Sequence, residues 1–215
     1  MRKILVGFMI LLVLIFVGIF FYFARTSHDS SDTVIEAIER IRNQGAVEYV
    51  IHEDHMEKGV YVYYLRDMNS GSPIVSVEYI RKLRNGKWKW VTGGGHTGTQ
   101  LSLVNDNNGH LPLSHQYLPI GEKKDRIPYP LIYGGISNTN IKRLVVKDYQ
   151  SGLTRQVNLI DVNYKFKFYY VYVTESQGDK FDLIAYDNGN GIIYKETLEK
   201  VLVSGSAGTS IKEQP

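Results

Sequence analysis

Residues 74–92 read IVSVEYIRKLRNGKWKWVT. Apolar and polar side chains alternate over Ile74 to Leu83 and again over Lys87 to Thr92, with β-branched and aromatic residues dominating, which is the pattern of two strands. Between them Asn85-Gly86 is the dipeptide favoured in a two-residue type I′ hairpin turn. The pair is therefore antiparallel.

Upstream, the same alternation predicts strands at Ala46 to His52 and Val60 to Arg66. Glu53 to Gly59 reads as a charged loop, and Asp67 to Pro73 holds Asn69, Ser70 and Gly71. Four strands joined in sequence by short connections imply an antiparallel meander. Before it, Thr33 followed by Glu36 is a capping-box pattern, and Val34, Ile35, Ala37, Ile38 and Ile41 form the apolar stripe of a compact helix that Gly45 is placed to end. Glu36, Glu39, Arg40 and Arg42 fall mostly off that stripe and read as its solvated face.

Downstream, Thr97 to Pro130 is the least regular stretch, with a strand possible at Leu101 to Val104. Pro112, Pro119, Pro128, Pro130 and the charged run Gly121 to Arg126 break up long elements. From Leu131 the β pattern resumes. Strands are predicted at Ile141 to Lys147, Thr154 to Ile160, Lys165 to Val173, Phe181 to Tyr186 and Ile192 to Lys195, with a hairpin turn over Asp187 to Gly191. This half reads as sandwich-like or a meander.

The run Ile4 to Ala24 has no charge and no strong polar side chain. As a helix it would be about 31 Å long, matching a hydrocarbon core about 30 Å thick. It is longer than the apolar region of a cleavable signal peptide, and Tyr22 stands where cleavage wants a small residue, so it reads as an uncleaved signal anchor. Arg2 and Lys3 before the run place the amino terminus in the cytoplasm and the remainder outside the cell membrane. The opposite orientation is the alternative, since Arg40 and Arg42 are not far beyond the run. The expected fold class is thus α+β, predominantly antiparallel β, after one transmembrane helix. The expected divisions are an anchor over 1–24, a stalk over 25–32, helix plus meander over 33–96, an irregular connection over 97–130, a β-rich half over 131–203 and a disordered tail over 204–215.

Composition narrows the function. Two of the 25 basic residues precede the apolar run, and the rest nearly balance 22 acidic ones; a near-neutral domain disfavours a nucleic-acid partner. With no cysteine, disulfides, thiol nucleophiles and cysteine-ligated metals are excluded. His52, Glu53, Asp54, His55 and Glu57 form the densest set of metal-ligand types, but at the predicted end of a strand and in a loop, with no third ligand fixed by spacing. They are not the H-E-x-x-H of a zinc protease, so no metal is expected. Asp187 to Gly191 lacks the acidic residues of a calcium loop. No G-x-S-x-G elbow is present, and no cofactor motif is found.

The candidate binding residues are Trp88, Trp90, Gly93, Gly94, Gly95 and His96. Trp88 and Trp90 share one face of their strand, as packing under a helix or as an aromatic shelf. The glycine triplet frees the backbone for a tight turn or for amides converging on an anion. His96, His110 and His115 lie in or beside the irregular stretch.

With WKWVTGGGH at residues 88–96 and YGGISNTNI at 133–141 after an amino-terminal anchor, the chain resembles small membrane-anchored extracytoplasmic proteins of Bacillus-type bacteria. The resemblance implies a compartment; it carries no activity, and no catalytic or binding residue transfers. The expected function is a single-pass anchored binding or interaction module. It would contact the bilayer through residues 4–24 and an envelope protein, wall polymer or small molecule through its outer domain. The rivals are a cell-envelope hydrolase with a histidine site near 96–115 and a subunit of a membrane assembly.

Overall fold

The computed structural model describes residues 9, 11–18, 30–70, 74–95, 113–121, 127–162, 166–174 and 180–199, and among these the fold is mostly antiparallel β. The chain divides into two compact units, residues 1–64 with 77–93, and residues 65–76 with 94–215.

In the first unit, α1 (Val34–Arg42) begins at the predicted capping box. Thr33 Oγ1 accepts from the Glu36 N–H at 3.2 Å, and the Glu36 carboxylate accepts from the Thr33 N–H at 3.2 Å, so two of the helix's orphan donors are satisfied. The helix stops at Asn43, which with Gly45 takes positive φ (98° and 78°). α1 lies on a meander of β1 (Tyr49–Met56), β2 (Gly59–Arg66), β3 (Ile74–Lys82) and β4 (Trp88–Gly95), ordered β1-β2-β3-β4. Ala37 and Ile38 form one cluster with Val60, Val62, Tyr64 and Ile80. The stripe turns slightly from the expected one: Ile41 is 52% exposed, and Arg42, four residues after Ile38, takes the inward position. β2 is buried from Gly59 to Leu65, the continuous apolar run of a strand covered on both faces.

Three expectations are corrected here. β1 runs on through Glu53 to Met56 instead of ending at His52, because an exposed edge strand accepts charged side chains on its open face; the turn is confined to Glu57 and Lys58. The hairpin between β3 and β4 is not a type I′ turn. Gly86 has φ 81° but Asn85 is not in the positive-φ region. The Gly86 N–H donates to Leu83 O (3.0 Å) and the Leu83 N–H to Lys87 O (2.8 Å), giving a three-residue loop with glycine at its left-handed position. The end of the expected stalk is packed: Ser30 and Ser31 are buried, and Ser31 exchanges backbone hydrogen bonds with Trp88 (2.8 and 2.9 Å).

The second unit carries two four-stranded sheets. One has the order β5-β6-β10-β9, from β5 (Gln116–Leu118), β6 (Leu131–Ile136), β9 (Asn158–Val162) and β10 (Phe166–Tyr172). The other has the order β12-β11-β7-β8, from β7 (Arg143–Asp148), β8 (Thr154–Gln156), β11 (Lys180–Tyr186) and β12 (Ile192–Glu199). Their inner faces share a core that includes Ile132, Ile136, Leu144, Val146, Tyr169, Phe181 and Leu183. The single strand predicted over Thr154 to Ile160 is split at Val157. β8 pairs with β7 in one sheet and β9 with β10 in the other. Val157, buried in the shared core, donates its N–H to Leu144 O at 3.0 Å, so the chain changes sheets at a residue that both sheets cover. At the other end, Asp187 Oδ1 accepts from the Gly189 and Gly191 N–H groups (2.8 and 2.7 Å), making the predicted hairpin turn an Asx-stabilised one.

Residues 9 and 11–18 are helical; the other residues of the expected span 4–24 lie outside the described ones. Among the described residues no helix is long and apolar enough to cross a membrane. Residues 25–29 of the stalk, the possible strand at Leu101 to Val104 and the tail 204–215 also lie outside the described residues.

Candidate functional site

The candidate residues on β4 are organised by a side chain on the neighbouring strand. Glu78 on β3 has a fully buried side chain, and Arg42, 27% exposed, brings Nε to 2.9 Å from Glu78 Oε1. Trp90 Nε1 donates to Oε2 at 2.6 Å and the Tyr64 hydroxyl to Oε1 at 3.3 Å. Three donors from α1, β2 and β4 thus converge on one carboxylate, which is what a buried charge requires. The Arg42 guanidinium also lies 5.9 Å from the centre of the Trp90 ring and donates to Gly93 O at 3.4 Å.

Trp88 and Trp90 lie on the helix-covered side of the sheet. Trp88 packs against the α1 cluster, with Lys82 Nζ 5.5 Å from its ring centre. Gly93, Gly94 and Gly95 are strand residues of β4, and Gly93 and Gly94 do not use positive φ. What Gly93 supplies is space. A Cβ there would fall 1.4 Å from Glu78 Oε2 and 2.2 Å from its carboxyl carbon, so the missing side chain is the room in which the carboxylate sits. The Gly94 carbonyl accepts from the Tyr133 hydroxyl at 3.2 Å, which also meets the Gln116 side-chain carbonyl. His96 and His110 lie outside the described residues.

No family model, curated protein or solved structure matches the chain. Its chemistry rests on the geometry alone.

Of the six histidines, His115 has the most developed setting among the described residues. Immediately before β5, its Nδ1 lies 3.2 Å from Glu196 Oε2, with side-chain exposures of 31% and 23%. The Tyr194 hydroxyl donates to the same carboxylate oxygen. Burial would raise the Glu196 carboxyl, but the hydrogen bonds from His115 and Tyr194 outweigh it and hold the group below the usual carboxylate range. Burial and the adjoining carboxylate push the Tyr194 phenol up. Behind them, burial pushes Tyr169 well up, and its hydroxyl donates to Ser114 O at 2.8 Å. The cluster joins β12 of one sheet to the segment leading into β5 of the other.

The acidic cluster on β1 gathers no third ligand. His52 and His55, three apart on a strand, point to opposite faces; His52 stacks on Tyr63 with ring centres 6.0 Å apart, and His55 Nε2 lies 3.3 Å from Glu53. Among the described residues no group of three or more His, Asp or Glu side chains is placed to hold a metal ion.

Glu196 escaped the sequence reading, and so did two other carboxylates on which several donors converge. Asp182, buried on β11, accepts from Tyr149 (2.9 Å) and Thr197 (2.8 Å) at Oδ1 and pairs with Lys195 (3.1 Å) at Oδ2. Burial opposes its ionisation, yet these bonds hold its carboxyl below the usual range. The other is Glu78. Its signal was present in the alternation: Glu78 shares a strand face with Ser76 and Ile80, which makes it an inward-facing acid requiring a cation and a gap opposite it.

Proposed function

We propose that the chain is a single-pass membrane-anchored protein whose β-rich part stands outside the membrane as a binding or interaction module. The observation that carries this reading is the helix over residues 11–18. Its consecutive side chains Leu11 to Val17 are 45% to 74% exposed, so apolar groups face outward all the way round it. Such a surface is stable where lipid, not water, surrounds it. The apolar residues that flank it in Ile4 to Ala24 extend the run to bilayer length, and Arg2 and Lys3 favour a cytoplasmic amino terminus.

A binding role is supported by how the inner carboxylates are used. Glu78 and Asp182 give their oxygens to donors of their own unit, an arrangement that fixes scaffolds. The partner classes are an envelope protein and a wall polymer.

Because the chain has no cysteine, an Asn188→Cys variant supplies one exposed thiol on the turn between β11 and β12. The expected result is labelling of intact cells by a membrane-impermeant maleimide, with the chain kept in the membrane through an alkaline carbonate wash. Labelling only after lysis, or release by carbonate, overturns the reading. Full-length protein in detergent is expected to co-sediment with purified wall sacculi if the polymer is the partner. A second reading, a cell-envelope hydrolase, is favoured by His115, because a carboxylate on Nδ1 is the arrangement that orients an imidazole for proton transfer. Hydrolysis of ester or amide probes by the full chain, lost in His115→Gln, would select it.

A further inference from the structure

The nine residues Arg81 to Lys89, RKLRNGKWK, make the end of the β3–β4 hairpin and carry five cations and no acid. The near-balance of charge over the whole domain hides them. In the order β1-β2-β3-β4 the acids Glu53 and Asp54 stand on β1, the edge strand opposite β4. The first unit is therefore charged unevenly, with five of its cations gathered at one hairpin.

The fold sets this hairpin beside the place where the apolar run leads into the unit. Ser31 exchanges its two backbone hydrogen bonds with Trp88, and Lys87 Nζ lies 3.2 Å from Asp32 Oδ1. Only six residue steps separate Ala24, where the run ends, from Ser30, a reach of about 20 Å even when fully extended. In the sequence Arg81 comes 57 positions after Ala24; the bridge at Ser31 is what makes the cations neighbours of the run.

Within the hairpin Lys82, Arg84 and Lys89 are exposed. Lys82 Nζ lies 5.5 Å from the centre of the Trp88 ring, a contact that holds the side chain without neutralising it. Asp32 is paired with Lys87, and Glu36 is turned to the Asp32 and Thr33 N–H groups at the helix start. Against these two acids the hairpin keeps an excess of three positive charges. The neighbouring β1–β2 turn adds Glu57 and Lys58, and the stalk adds Arg25 and Asp29, each pair one charge of either sign.

We propose that the end of the β3–β4 hairpin is a docking surface for anionic phospholipid headgroups, which holds the first unit against the bilayer that its own amino-terminal run enters. The inference rests on the membrane-anchored reading above. Anionic lipid attracts basic residues that come within a Debye length of it, about 8 to 10 Å. For a domain free in solution that attraction is weak. For one tethered within about 20 Å the encounter is intramolecular, so a few cations suffice. Which side of the unit turns to the bilayer then follows from where the cations lie, and the edge that carries Glu53 and Asp54 is repelled.

The test uses the full chain in vesicles of phosphatidylcholine and in vesicles that also contain phosphatidylglycerol. Because the chain has no cysteine, Asn85→Cys in the exposed turn of the hairpin takes one dye from an impermeant maleimide after reconstitution. A quencher on a lipid headgroup reports its approach. Quenching is expected with the anionic lipid and not with phosphatidylcholine alone, and it should be lost in molar salt. One Lys or Arg near such a surface is worth about fivefold in the docked-to-free ratio, so Lys82→Gln and Arg84→Gln should each lower the ratio by that factor. Arg84→Lys, which keeps the charge, should leave it nearly unchanged. Equal quenching in the two kinds of vesicle overturns the proposal, as does a ratio that neither neutral variant lowers. A dye that responds to soluble polyphosphate but not to anionic vesicles would assign the hairpin to an anionic polymer and overturn it too. Flotation after an alkaline carbonate wash is read on the same samples. A chain that stays with phosphatidylcholine vesicles yet shows no charge-dependent quenching refutes the hairpin surface alone, whereas release from them refutes the anchored reading and this inference with it.

Discussion

The two units handle an inward-facing acid in opposite ways. In the first, Glu78 lies in the middle of a packed sheet face, its side chain fully buried beneath α1 and beside the backbone of β4. In the second, the core between the sheets is apolar. Glu196 stays partly exposed beside His115, and Asp182, although buried, lies outside that apolar cluster among polar side chains from β11, β12 and the turn after β7. A partly exposed carboxylate such as Glu196 keeps part of its hydration and can exchange one partner for another. One in the centre has only its fixed donors, and losing any of them leaves an uncompensated charge. The first arrangement specifies a single packing; the second leaves room for response to pH.

Removing Arg42 should separate the two most strongly. Arg42→Met keeps the aliphatic stem but strands the Glu78 carboxylate, at a cost of about 3 kcal/mol. Hydrogen exchange of β2 and β3 is expected to rise sharply while the sandwich strands β7 and β11 stay protected. The double variant Arg42→Met with Glu78→Leu removes both charges and should regain much of the loss. If the double variant is no more stable than the single one, the charge pair is not what the site needs.

Gly93→Ala comes next. Its methyl group would occupy the position of the Glu78 carboxyl, which is held in place by Arg42 and Trp90, and overpacking of this kind costs about 2 kcal/mol. The counterpart in the second unit is Gly134→Ala, whose Cβ would fall 1.9 Å from the Ser114 carbonyl oxygen. Urea unfolding is the measurement for both. The comparison sharpens if Gly93→Ala is relieved by Glu78→Ser while Gly134→Ala is not, because the first clash is with a side chain and the second with backbone.

These sites also show how far sequence reasoning reached. Local patterns were legible: the capping box at Thr33 and Glu36, the alternation that sets the strands, and the turn at Asp187 all depend on neighbours within a few residues. What could not be read depends on partners far along the chain. Gly93 is explained by Glu78 on the adjacent strand, and His115 acquires its carboxylate from β12, 81 positions later in the numbering. The break at Val157 was invisible because residues 154–160 alternate acceptably as one strand; only the pairing of its halves with different sheets divides it. β1 was cut short at His52 because charge was taken to signal a loop, whereas on an edge strand charge is the ordinary means of discouraging further pairing.

A smaller effect is expected at the margin of the second unit. The folded chain holds the Asp182 carboxyl below its usual range, so ionised Asp182 stabilises the unit at neutral pH. That contribution is present above the unfolded carboxyl's titration range and is lost as pH falls through the lower, folded value. Asp182→Asn should cost about 1 kcal/mol at neutral pH, the scale of a hydrogen bond to a charged group at a protein margin. It should cost progressively less in acid, when the native residue is itself protonated. An Asp182→Asn deficit that stays constant from neutral pH into strong acid would mean that packing, not charge, is what Asp182 contributes.

The smallest effect belongs to the helix that covers Glu78. Thr33→Ala removes one side of the capping box and leaves the Glu36 N–H without its acceptor, at a cost of about 1 kcal/mol. Because α1 supplies Arg42, fraying that began at Thr33 and ran the length of the nine-residue helix would expose the carboxylate as well. Fraying confined to the first turn would not, since Arg42 lies in the last. Indole fluorescence distinguishes these outcomes, Trp90 being bonded to Glu78 and Trp88 packed under the helix. An unchanged emission maximum in Thr33→Ala at neutral pH, with a modest loss in urea resistance, is expected if Glu78 anchors the helix from its carboxyl end. A red shift without denaturant would reverse that order and make the amino-terminal cap the element on which the buried charge depends.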